Sequence, residues 1–427
     1  MHRKFILFAV LLWLAGCGGG GGGSSSTSTS DSTTSGSGST GSSSGGTSST
    51  GSGTVSTAQN VLAITVDSGP QGLYSVNMPY VSVTICSPGS TANCQTVDHV
   101  LVDTASTGVR IIASVLNSSL ALPQQKDSSG NALAECAVFA DGYSWGGVRV
   151  ADVKLSGQTV SSIPIQIIAD SVFPTTPTSC SSLGPKAGNT VATFHANGIL
   201  GVGPFVEDCG AACAQKAIAG TYYVCPTTGC SPVAVTVGQQ VQNPVAKLST
   251  DNNGVLIDMP AIPASGASTV AGSLILGIGT QSNNTMGSAI KYDLDAYGNL
   301  STTYKNQKLV SFVDSGSNGM YFPDSTIAVC SSATQAPGFY CPATTQSLTA
   351  TIQGASNGIS GTINFSVANA NSLVTSAPSY TAFSNLAGPF GTSAYFDWGM
   401  PFFYGRKVFT AIEQRSTPAG TGPYIAF

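Results

Sequence analysis

Short runs in which Val, Ile, Thr, Ser and Gly dominate, broken by Gly, Pro and Asn, recur along most of this chain. Runs of that length with turn residues between them predict an all-β protein. Val61 to Val66 reads as one such strand, ended by the turn Asp67-Ser68-Gly69-Pro70. His99-Val100-Leu101-Val102 and Leu309-Val310-Ser311-Phe312-Val313 read as two more, and each delivers an aspartate at its end. No convincing long amphipathic helix interrupts them.

Two segments near the start depart from this pattern. Met1 to Cys17 has a basic beginning (His2, Arg3, Lys4) and an apolar core from Phe5 to Leu14. The run is too short to span a bilayer and is closed by small residues, which predicts a signal peptide. Its last residues, Leu14-Ala15-Gly16-Cys17, resemble the bacterial lipobox. That resemblance implies an exported lipoprotein held to a lipid bilayer through acylated Cys17, and Gly18 after it resembles outer-membrane sorting, on the periplasmic or the cell-surface face. From Gly18 to about Thr54 nearly every residue is Gly, Ser or Thr. Such a composition buries no core and makes a flexible tether with a span on the order of 30 Å.

About 370 residues remain, enough for two lobes of roughly 170 to 200 residues each. Charged residues make up 8% of the chain and the formal net charge is −4, which excludes the basic surface that nucleic acid demands. Eleven cysteines less Cys17 leave an even number, and in an exported chain they predict disulfides. Cys86 with Cys94 closes a loop between two strands, Cys330 with Cys341 closes another, and Cys136 with Cys180 follows by elimination. Cys209, Cys213, Cys225 and Cys230 read as two further bridges in an unresolved pairing, with a zinc site as the alternative.

The chemistry-bearing signal is a repeat. Val102 to Ile111 reads VDTASTGVRI and Val313 to Phe322 reads VDSGSNGMYF. In each, an aspartate leaves an apolar strand and is followed by a hydroxyl residue, a small residue, a serine and then a glycine. Asp67-Ser68-Gly69 lacks the second serine and the apolar continuation, so a turn accounts for it. Equivalent aspartates from two halves predict a pseudo-twofold site where carboxylates meet, because one carboxylate cannot serve as acid and base at once.

These loops resemble the DTGS-type loops of the pepsin-like aspartic peptidases. Asn197-Gly198-Ile199-Leu200-Gly201-Val202-Gly203 resembles that family's DGILGLG segment, and Ala271-Gly272-Ser273-Leu274-Ile275-Leu276-Gly277 its GSLxLGG strand. Trp398-Gly399-Met400-Pro401-Phe402-Phe403, Val408-Phe409 and Tyr424-Ile425-Ala426-Phe427 are similar to its carboxy-terminal run. The chain also resembles an uncharacterised family of bacterial exported lipoproteins. The first resemblance implies a bilobal all-β fold of two pseudo-twofold-related β-barrel lobes, residues 59–238 and 239–427. It implies an aspartic endopeptidase whose substrate is an extended polypeptide in the interlobe cleft. Asp103 and Asp314 become the catalytic dyad. Thr104 and Ser315 bond across the lobe junction, Ser106 and Ser317 bond the outer carboxylate oxygens, and Gly316 is a further supporting residue of the second loop.

Three departures bear on that reading. Ala105 stands at the first-loop glycine position, where a Cβ crowds the partner loop or forbids positive φ. The hairpin expected to close over substrate, Phe139 to Gly147, has Phe139 at the tyrosine position, with Tyr143 and Trp145 as other flap candidates. Asn197 and Met400 replace aspartates at structural positions. Of the histidines only His99 and His195 lie beyond the signal peptide, and neither adjoins a nucleophile elbow. No metal or organic cofactor is implied, and the chain is expected to be a monomer. The alternative reading is a non-catalytic module whose cleft binds a peptide, a glycan or an envelope partner.

Overall fold

Val61–Val66 alternates as the sequence predicts, with Leu62, Ile64 and Val66 turned into the core. It runs antiparallel to Val270–Leu276, from Val61 opposite Ile275 to Val66 opposite Val270, and also meets Pro79–Cys86 at Thr65 and Tyr80. A strand from the beginning of the chain is therefore locked to one from its second half. The computed structural model describes residues 58–226, 229–391 and 394–427, and these form a compact unit from Ala58 to Phe427. The signal peptide, Cys17 and the Gly/Ser/Thr tether lie outside the described residues.

The described strands form a sheet of fifteen, a sheet of seven and a two-stranded ribbon. The helices among them are single turns or little more, the longest being Ala370–Ser376, capped by the Asn369 side chain accepting from Ser372 N–H at 2.9 Å.

The two halves repeat one arrangement. Cys94–Asp103 lies parallel to Gly198–Val202 with Asp103 opposite Gly201, and Gly198–Val202 lies antiparallel to Thr107–Ile112 with Ile199 opposite Arg110. In the second half, Gln307–Val313 lies parallel to Tyr395–Trp398, with Val313 opposite Trp398, and Tyr395–Trp398 lies antiparallel to Met320–Tyr321, with Asp397 opposite Tyr321. Both times a distant strand is inserted between the two arms of an Asp loop. A parallel neighbour needs a long crossover, so this element is invisible to local pattern.

Packing differs between the halves. The first is aliphatic, with Val83, Ile85, Val100, Val102, Val109, Ile111 and Val153 sealed from solvent. The second is aromatic: Phe322 stacks on Phe396 at 4.9 Å between centroids, Phe396 stacks on Trp398 at 4.3 Å, and Trp398 Nε1 donates to Thr302 Oγ1 at 2.9 Å.

Among the described residues there are five disulfides: Cys86–Cys94, Cys136–Cys180, Cys209–Cys213, Cys225–Cys230 and Cys330–Cys341. The cluster left open by the sequence thus pairs locally. Five bridges point to an exported or extracellular protein. No helix among the described residues is long and apolar enough to cross a membrane.

Candidate active site

Each Asp loop begins where its strand ends, so the sheet aims the carboxyl. Asp103 is the last residue of Cys94–Asp103, and Asp314 follows Gln307–Val313 directly. Both are buried, at 6% and 8% exposure. Asp103 Oδ1 accepts from the backbone N–H of Ala105 at 2.7 Å and of Ser106 at 3.1 Å. Asp314 Oδ1 accepts from Gly316 N–H, and its Oδ2 from the Ser317 hydroxyl, both at 2.8 Å.

The loops are braced on one another by hydroxyls. Thr104 Oγ1 donates to Val313 C=O at 2.9 Å and accepts from Ser315 N–H at 3.0 Å, while Ser315 Oγ donates to Val102 C=O at 2.7 Å. Each loop therefore satisfies buried backbone groups of the other, and neither can shift alone without orphaning them. Within this brace the carboxyls of Asp103 and Asp314 are hydrogen-bonding neighbours. Burial first, and then the charge of Asp103, pushes Asp314 well above the usual carboxylate range. Two carboxyls that close cannot both ionise easily, which favours one proton held between them.

Gly316 is required by this approach. A Cβ there would sit 2.9 Å from Asp103 Cγ and 3.1 Å from Asp314 Oδ1. Its counterpart Ala105 neither adopts positive φ nor is enclosed: its side chain is exposed, so the crowding or strain expected from the sequence does not arise.

One expected support is absent. Ser317 bonds Asp314 as anticipated, but the Ser106 hydroxyl is sealed from solvent without a hydrogen-bond partner among the described residues. It turns against Gly201, 2.8 Å from where a Cβ on that glycine would sit. The first loop therefore holds Asp103 through backbone N–H groups, that of Ser106 among them, and not through the Ser106 hydroxyl.

The hairpin of Leu133–Val138 and Tyr143–Leu155 turns at Phe139 to Gly142, closed by Phe139 N–H donating to Gly142 C=O at 2.8 Å. Phe139 packs edge-on against Phe194 at 5.8 Å. Trp145 is core, its Nε1 donating to Phe173 C=O at 3.0 Å and its ring meeting Tyr223. Tyr143 is tied by its backbone to Lys186 and Gly188. The three flap candidates are thus engaged in packing or in strand pairing. The turn itself reaches the second half: Ala140 packs against the apolar group that holds Tyr321 and Phe383, and the charge of Asp141 acts on the Tyr321 hydroxyl. Burial pushes the Asp141 carboxyl up to about 6 against the opposing influence of Lys186.

His99 lies between Asp67 and Asp98, 3.4 and 3.2 Å from their carboxylates, and His195 closes the short helix Val191–Phe194 in the left-handed region, with Ser75 Oγ 3.3 Å from its Nδ1. His99 lies on the strand that leads into Asp103, but both histidines sit in structural contacts. Asn197 Nδ2 holds the Asp98 backbone and side chain, and Met400 is core.

Two buried polar groups escaped the sequence reading. Behind the first loop, Arg110 Nη2 donates to Glu135 Oε1 at 2.6 Å and to Asp208 Oδ2 at 3.1 Å, and Tyr222 donates to Asp208 Oδ1 at 2.6 Å. Behind the second loop lies Asp397, wholly buried. No local signal marks it; it emerges only when the alignment of the repeat is carried on to the inserted strands.

Residues 56–427 match the family model described as "Protein of unknown function (DUF3443)". No curated protein matches the chain. Among solved structures, the crystal structure of an aspartic proteinase from Irpex lacteus is similar, with a TM-score of 0.50 and 16% identity over 86% of this chain and 96% of that one. At that identity the likeness establishes the fold, the bilobal all-β architecture of the pepsin-like aspartic proteinases.

Proposed function

The chain belongs to the DUF3443 family, whose description assigns no activity, and from its own residues we propose that it is an aspartic endopeptidase. The observation that carries this reading is the pair Asp103 and Asp314: buried carboxyls from two equivalent loops, within hydrogen-bonding reach of one another and cross-braced by Thr104 and Ser315. A scaffold has no physical need to force two acids together, since their mutual repulsion opposes folding.

In this mechanism the dyad, carrying one proton, holds a water between its carboxyls. The ionised carboxylate takes a proton from the water as its oxygen bonds to the peptide carbonyl carbon, and the protonated partner gives its proton to the carbonyl oxygen. The carboxyl that took the water proton then gives it to the departing nitrogen as C–N breaks, while the other carboxylate takes the proton of a diol hydroxyl as C=O re-forms, which restores the singly protonated pair. The backbone N–H groups of Ala105, Ser106 and Gly316 hold the carboxyls in place throughout. The substrate is an extended polypeptide crossing between the two loops beneath the Phe139 to Gly142 turn.

A second reading, a cleft that binds a peptide or glycan without cutting it, is favoured by the hairpin. Phe139 offers no hydroxyl and is committed to Phe194, and Ala140 already rests on the second half. Cleavage of denatured casein by the purified full-length chain from pH 3 to 7, beside Asp103→Asn and Asp314→Asn, separates the two. The peptidase reading expects activity that disappears in both variants. A folded wild-type chain without activity at any pH selects the binding module.

For localisation, the proposal is an outer-membrane lipoprotein that presents a monomeric domain on the Gly18 to Thr54 tether. Cys17→Ser is expected to release the protein from the membrane fraction, and retention there would refute acylation as the anchor.

A further inference from the structure

The register relating the two halves places Asp397 where the first half has Ile199. Ile199 lies between Leu101 and Arg110, whereas Asp397 lies between Phe312 and Tyr321. Ile199 is packed among Met78, Tyr80 and Leu101, an ordinary apolar site. Its counterpart is an acid with 0% exposure, and neither of its carboxyl oxygens has a hydrogen-bond partner among the described residues.

The groups around Asp397 decide its state. Asp103 and Asp314 face it with like charge, and the Tyr321 hydroxyl beside it donates to Asn318 Oδ1 instead. Asp141 acts on the same tyrosine from the hairpin turn. Lys186 acts on Asp141, but among the described residues no cation is among the influences on Asp397 itself. Ser317 lies against the end of the Asp397 strand, its backbone C=O accepting from Met400 N–H at 2.7 Å, and the single proton of its hydroxyl goes to Asp314 Oδ2 at 2.8 Å. An ionised carboxylate without a donor or a counter-charge is too costly to bury, so Asp397 keeps its own proton. A protonated carboxyl has an O–H to give, and the Ser317 oxygen has lone pairs to receive it.

We infer that Asp397 is a positioning residue of the dyad: a neutral carboxylic acid that donates to Ser317 Oγ and so fixes the Ser317 proton on the outer oxygen of Asp314. This rests on the reading of Asp103 and Asp314 as a catalytic pair. The chain of donors runs one way, from Asp397 through Ser317 to Asp314, and each bond polarises the next. With Oδ2 occupied as an acceptor, the shared proton of the dyad is confined to the inner oxygens, where water and substrate meet it. When Asp397 ionises at higher pH, the Ser317 proton is contested by two carboxylates and a second charge appears beside the pair. The alkaline limit of activity is therefore set partly by a residue that touches no substrate.

Two substitutions in the full-length chain test this. Asp397→Asn keeps the shape and a donor but cannot ionise, and Asp397→Ile installs the first-half residue and removes the donor. Infrared spectra at neutral pH, where exposed carboxyls are ionised, read the buried neutral acids directly. The expected result is loss of one acid carbonyl band in Asp397→Asn and a shift of that band in Ser317→Ala. An unchanged spectrum in either variant overturns the inference, whether or not the protein cuts anything. For casein cleavage from pH 3 to 8, Asp397→Asn is expected to stay within about twofold at the optimum with its alkaline limb moved upward, while Asp397→Ile falls about tenfold, the worth of one hydrogen bond. An alkaline limb that does not move in Asp397→Asn also overturns it. An inactive wild type that still shows both infrared changes removes the peptidase reading and leaves the proton chain standing.

Discussion

Removing the hydroxyl of Thr104 should cost far more than an ordinary Thr→Val exchange. Thr104 and Ser315 are buried, and the single Thr104 Oγ1 serves both Val313 C=O and Ser315 N–H. Thr104→Val keeps the branched shape but leaves both backbone groups unpaired away from water. Each such group costs roughly 1–3 kcal/mol, and the added methyl returns part of that, so a net loss of about 3 kcal/mol is expected. Thr104→Ser keeps the hydroxyl and should lose less than about 1 kcal/mol. Equilibrium unfolding in urea provides the assay, with the fluorescence of Trp145 in the first half and Trp398 in the second as probes of both sides of the brace. Because the hydroxyl ties one half to the other, both probes should shift together. A shift below about 0.5 kcal/mol in Thr104→Val, or equal shifts in the valine and serine variants, would refute the argument that these bonds bear on the junction.

Three further outcomes follow from the same geometry. Gly316→Ala sets a Cβ 2.9 Å from Asp103 Cγ, so the dyad must part; casein cleavage should fall at least about tenfold while circular dichroism and urea midpoint show a folded chain destabilised by about 1–3 kcal/mol. Asp314 and Asp397 are pushed upward by burial and Asp141 to about 6, so the stability they permit is full below the unfolded carboxylate value near ~4 and is lost as pH rises through the folded ones. Urea midpoints should accordingly be higher at pH 4 than at pH 8, and Asp141→Asn should flatten the part of the decline between about 4 and 6; a midpoint that climbs with pH would contradict the burial assigned to these acids. Opening Cys136–Cys180, which spans 44 residues, should cost about 4 kcal/mol in a double alanine variant, against about 3 for Cys330–Cys341 with its span of 11; a smaller loss at the longer loop would show that chain entropy is not the governing effect.

Much of this molecule is written in short stretches of chain. The strand Val61–Val66, the two aspartates at strand ends and the pairing of Cys86 with Cys94 rest on interactions between residues close in sequence, where alternation and turn chemistry carry the signal. The repeat of Val102 to Ile111 in Val313 to Phe322 is legible for a related reason: both loops solve the same local problem, bending a chain so that backbone N–H groups cap a carboxylate. Other features depend on which distant strand lies alongside. That the Ser106 hydroxyl turns to Gly201 while Ser317 turns to Asp314, and that Phe139 is committed to Phe194, are outcomes of three-dimensional competition for partners. Asp397 is the clearest case. In sequence it is one acid before a tryptophan, and only the parallel register with Gln307–Val313 sets it behind the second loop, opposite the place of Ile199. Sequence by itself determined the two carboxyls and the loops that hold them, because those are made by neighbours along the chain. Tertiary structure decided what surrounds the carboxyls, because burial and proton sharing depend on groups that meet only when the halves close.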